Sequence, residues 1–105
     1  MANAKLEFLE HTKDKPIKCA YLAKAVYYPK DEEQVVLKKD YSPEELSSFL
    51  TSIDFEYDSG FGGQELMGVI WYWDETWSDR REYDGSEWWE HQIVPDLLDY
   101  MEKEE

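Results

Sequence analysis

One dipeptide, Asp84-Gly85, narrows the possible folds more than any other stretch of the chain. Asp-Gly between apolar runs signals a two-residue hairpin, because the favoured turn needs positive φ at both central positions. Polar and aromatic Thr76–Tyr83 precedes it and Trp88-Trp89 lies on the return, so two antiparallel strands are predicted. Leu66–Trp73, rich in β-branched and aromatic residues, predicts another strand. Ile17–Tyr28 reads as a strand buried on both faces, since Ala20 and Leu22 blur its alternation. After the polar turn at 29–33, Gln34–Leu37 makes a short strand.

Helix signals are as definite. Ser42-Pro43-Glu44-Glu45 supplies an N-cap, a proline at the first helical position and the glutamate of a capping box. Leu46, Phe49, Leu50 and Ile53 then recur at i, i+3, i+4 and i+7, which predicts a helix over 43–53. A second is expected after Pro95, where Val94, Leu97, Leu98 and Met101 share that spacing. Residues 3–10, with Leu6, Phe8 and Leu9, read as a short helix or a strand. The expected class is α+β, an antiparallel sheet of about four or five strands with two helices packed on one face. At 105 residues, a single domain over 1–105 is expected.

Charge is distributed unevenly. The net charge is -14, with 11 Lys and Arg against 25 Asp and Glu. Residues 1–53 hold 8 lysines and 9 acids, whereas 54–105 hold Arg80, Arg81 and Lys103 against 16 acids. All five tryptophans also fall in that acidic half. Such a field repels phosphate backbones and attracts basic surfaces, so the expected partner is a basic protein surface rather than nucleic acid. A purely solubilising role for the charge is the plainer alternative. No apolar run reaches the ~18 residues of a membrane span and the start has no secretory h-region, so no membrane association and a cytoplasmic location are expected. A lone cysteine, Cys19, excludes an internal disulfide, and its apolar neighbours predict a buried, inert thiol.

Individual motifs give little chemistry. Ser59-Gly60-Phe61-Gly62-Gly63 lacks the Lys-Ser/Thr pair of a phosphate loop and has acidic neighbours, so it reads as a flexible turn. Asp54, Glu56, Asp58 and Glu65 fall at positions 1, 3, 5 and 12 of an EF-hand count, a calcium alternative. Ser59 at the sharp-turn position, and bulky Phe55 and Tyr57 between the acids, weigh against it. The competing reading is a strand with Asp54, Glu56 and Asp58 outward, about 6.8 Å apart. Glu82, Asp84, Glu87 and Glu90 could add a second row, together imitating a phosphate backbone. Trp71 and Trp73 share a parity and are expected in the core, whereas Trp88 and Trp89 must face opposite ways. Arg80 and Arg81 are expected in ion pairs across the sheet. His11 and His91 stand far apart, and no pair among so many carboxylates can be singled out, so no catalytic residue, metal or cofactor is assigned.

Asp74-Glu75-Thr76-Trp77, with Arg81-Glu82-Tyr83-Asp84-Gly85-Ser86-Glu87-Trp88-Trp89, resembles a segment of small proteins encoded by phages and other mobile elements. Their pattern is D-G-[TS]-W-x-x-R-x-E-Y-D-G-S-E-W-W; here Glu75 stands in place of its first glycine. The resemblance implies a context, small acidic proteins that counter host nucleases, in the host cytoplasm if phage-encoded. It carries over no functional residue. The expected function is therefore a non-enzymatic acidic inhibitor of a basic nucleic-acid-binding protein (nuclease, defence effector or toxin), through nucleic-acid mimicry. Its expected contacts are Asp54, Glu56, Asp58, Glu82, Asp84, Glu87 and Trp88. The alternative is a solvated housekeeping domain with a small-molecule or calcium pocket near 54–65.

Overall fold

The computed structural model describes residues 2–27, 30–57, 65–83 and 86–94. In chain order the elements are β1 (Ala2–Asn3), α1 (Ala4–His11), β2 (Ile17–Tyr27), β3 (Lys30–Leu37), α2 (Pro43–Ser52), β4 (Glu56–Tyr57), β5 (Leu66–Tyr72), β6 (Trp77–Tyr83) and β7 (Ser86–Gln92). Five strands form one antiparallel sheet in the order β3-β2-β5-β6-β7. β1 and β4 pair as a separate two-stranded ribbon. The α+β class and antiparallel sheet are those the sequence predicts.

Both helices cover the same face. Phe8 of α1 and Phe49 of α2 meet with ring centroids 5.3 Å apart, and both belong to one buried cluster with Leu22, Leu66, Ile70 and Trp89. α2 starts where its capping box dictates: the Ser42 hydroxyl accepts from the Glu45 N–H, and the Glu45 carboxylate accepts from the Ser42 N–H. The ambiguous 3–10 segment is helical because Asn3 caps it, its side chain accepting from the Leu6 N–H at 3.0 Å. Only Ala4 and Phe8, one turn apart, are buried from this helix, which leaves Leu6 and Leu9 outward. The helix expected after Pro95 lies outside the described residues.

The parity of β5 corrects one expectation. Leu66, Ile70 and Tyr72 are buried, whereas Trp71 and Trp73 are 42% and 50% exposed on the other side. Both parities of this strand are apolar, so alternation alone could not choose between them. Gly68 shows what selects the inner one: a Cβ there would lie 2.5 Å from the Tyr21 carbonyl and 3.0 Å from the Trp89 ring. The inner face of β5 thus keeps a gap for Trp89. Cys19, expected to be buried, is only half-buried, across from Trp71 on the outer face.

Candidate functional site

A buried ion pair fixes the orientation of β7. Arg80 and Glu87 lie 3.3 Å apart with side chains 1% and 0% exposed. Among the described residues Glu87 accepts from the Glu65 and Leu66 N–H groups, each at 2.9 Å, and from Arg80 Nη2. Its carboxylate therefore clamps the start of β5 from two strands away. Arg80 donates from Nε to the Leu66 carbonyl and from Nη2 to the Tyr57 hydroxyl at 2.8 Å, and its guanidinium lies against the Tyr57 and Trp89 rings. The Tyr57 hydroxyl in turn donates to the Glu7 carboxylate on α1. Burial, then the bond to Glu7, holds the Tyr57 hydroxyl well above its usual pKa. One polar network thus joins α1, β4, β5, β6 and β7. Arg80 Nη1 and Trp89 Nε1 are the buried side-chain atoms left without a hydrogen-bond partner among the described residues.

With Glu87 and Trp89 anchored inward, strand alternation turns Trp88 and Glu90 outward. Trp88 is 40% exposed, so the two adjacent tryptophans divide between core and surface as expected. Between α1 and β7 runs a groove of about 410 Å3, lined by Leu6, Glu7, Glu10, His11, Trp88 and Trp89. Leu6 is 64% exposed at its wall, and Leu9 is exposed on the same helix. Glu7 and Glu10 give the groove its charge. His11 bonds to Ser78 Oγ at 2.7 Å and stacks on Trp89. Burial, then the Lys15 cation, holds its imidazole below the ordinary histidine value, which favours the neutral ring.

Among the described residues, those expected to bind a partner do not form one surface. Glu87 is the clear correction: its carboxylate is buried and ion-paired, so it cannot meet a partner. Glu82 is exposed but lies opposite Glu87, on the helix-covered side of the sheet, whereas Trp88 shares its parity with Arg81 and Glu90. Asp54 and Glu56 are exposed beside and on the separate β1–β4 ribbon, where Asp54 accepts from Asn3 Nδ2 and lies 4.0 Å from Lys5 Nζ. Asp58 and Asp84 lie outside the described residues. Most of the loop of the calcium alternative, Asp58 included, lies outside the described residues; among the described residues no three His, Cys, Asp or Glu side chains converge as a metal site. Arg81 pairs with Asp79 and Glu90 on the outer face, at 2.8 and 3.2 Å, so both arginines form the cross-sheet ion pairs expected.

The α1 side of the groove is not legible in the sequence, because a segment that reads as either helix or strand assigns Leu6 and Leu9 no face. Their lack of a common stripe with Phe8 is the one signal that could have marked them as surface. No protein-family model, curated protein or solved structure matches this chain.

Proposed function

We propose that this protein is a non-enzymatic acidic inhibitor that binds a basic, nucleic-acid-binding protein through the groove between α1 and β7. One observation carries the reading: exposed Trp88 and Leu6 share a groove with Glu7 and Glu10, with Glu90 turned outward on the same strand. An exposed indole beside carboxylates suits an arginine-bearing surface, which gains both stacking and charge complementarity. The net charge of -14 steers such a partner in and repels nucleic acid itself. Of the described contacts the sequence suggests, Trp88 lines the groove and Asp54, Glu56, Glu82 and Glu87 do not; Glu7 and Glu10, with Glu90 on the Trp88 strand, supply the carboxylates instead. Competition for a channel that normally holds nucleic acid then requires only that partner and substrate seek the same basic surface.

The test is capture of partners from a host lysate on the tagged protein, washed at about 0.1 M and about 0.5 M salt. A basic nucleic-acid-binding protein should be retained at the lower salt and released at the higher. Trp88→Ala and the double reversal Glu10→Lys/Glu90→Lys should each cut retention at least tenfold while the circular dichroism spectrum stays unchanged. Retention of an electroneutral partner, indifferent to salt and to these substitutions, would sink the proposal.

A further inference from the structure

Beside the groove lies one edge of the sheet. β7 is its last strand, and no strand lies beyond it among the described residues. It pairs with β6 in unbroken register from Trp77↔Gln92 to Tyr83↔Ser86, whereas the β2–β5 pairing shifts register between Ile17 and Cys19. Edge strands are commonly guarded by charges, prolines or bulges, since their outward N–H and C=O groups are a template for another chain. β7, Ser-Glu-Trp-Trp-Glu-His-Gln, has no lysine, proline or bulge; its guards are two glutamates, Glu87 turned inward and Glu90 outward, which deter an acidic chain and admit a basic one. β3, at the opposite edge, opens with Lys-Asp-Glu-Glu.

We infer that the partner enters as an extended basic segment that pairs with β7 and becomes a sixth strand of the sheet. The inference rests on the inhibitor reading and adds how the partner is held. Main-chain hydrogen bonds to β7 would supply affinity, and alternate side chains would supply selectivity. Seven residues of strand offer about 24 Å of edge. Side chains of one parity fall toward Leu6, Glu7 and Glu10, and those of the other toward Trp88 and Glu90. Each side combines an apolar contact with a carboxylate, which fits a segment that alternates basic and apolar residues. Charge also separates this occupant from a second copy, because two chains of net charge -14 repel.

The probe is a blocked nonapeptide of alternating arginine and valine, with two versions N-methylated at either the odd or the even residues. Only one of these loses the N–H groups that face β7. Titrations at about 0.05 M salt follow tryptophan fluorescence, and amide exchange is read residue by residue over 86–92. The parent peptide should slow exchange in β7 at least tenfold. One methylated isomer should bind at least tenfold more weakly and the other should match the parent. Trp88→Ala should weaken all three. If both methylated isomers bind as tightly as the parent, strand pairing is overturned and contact is through side chains alone, leaving the inhibitor reading in place. Binding of no peptide would overturn the pairing as well, while the salt-washed capture judges the inhibitor reading separately. A dimer of the free protein with β7 already protected would overturn it in favour of a second copy.

Discussion

Glu87 illustrates how one side chain can serve as structure while its neighbour is left for function. Removing one partner of a buried pair costs about 3–5 kcal/mol, because the other charge remains unneutralised. Glu87→Ala should therefore lower the unfolding free energy by about that much in a urea titration. Adding Arg80→Met should cost less than the sum of the two single changes, by about 1–3 kcal/mol. Trp88→Ala, one residue away, should leave stability within about 0.5 kcal/mol, as surface substitutions usually do. A pH dependence belongs to His11. Its folded value lies below the ordinary one, so the unfolded chain binds the proton more readily. Its contribution is complete above about pH 6.5 and declines as the pH falls below that value. Between pH 7 and 5.5, His11→Asn should lose stability less steeply than the native protein. That Arg80 pairs across the sheet, and that Trp88 and Trp89 face opposite ways, is legible in the sequence; that Glu87 is the partner is not. Glu87 reads like every other acid there, because pairing with Arg80 depends on a register that composition does not reveal.

At the scale of elements, local chemistry was the better guide. The capping box at Ser42 and the spacing of Leu46, Phe49, Leu50 and Ile53 state α2 outright, and Asp84-Gly85 states the β6–β7 hairpin. What failed was the choice of face for β5, since a strand apolar on both sides carries no internal evidence of which side is covered. The β5–β6 turn shows local strain directly. Glu75 sits at φ 70°, a left-handed conformation that glycine tolerates and other residues adopt at a cost. It is also the position at which the D-G-[TS]-W pattern carries glycine. Asp74 supports the turn by accepting from the Thr76 hydroxyl and from the Thr76 N–H at 3.0 Å, and these bonds, the hydroxyl's first, hold its carboxyl below the usual value. Glu75→Gly should raise stability by about 0.5 kcal/mol, the relief of strain exceeding the added freedom of the unfolded chain. Glu75→Ala should give no such gain, and thermal unfolding of the two variants separates these outcomes.

For the molecule as a whole, salt should act with opposite signs on folding and on binding. Screening relieves self-repulsion, so raising salt from about 0.05 to about 0.5 M should lift the melting temperature of the free protein. The same change should weaken capture of a basic partner. A melting temperature indifferent to salt would show that the carboxylates are too dispersed to act collectively. That β7 is the last strand of the sheet among the described residues gives this charge a further meaning. Near the sequence isoelectric point of about 4.4 repulsion between copies disappears, while the edge of the sheet stays as it was. The β7 edges of two copies, the same patch on each, can then meet in a two-fold contact that closes on itself. Its carboxylates then act as the barrier between copies, and acidification to about pH 4.4 should yield a dimer in which β7 is protected from amide exchange.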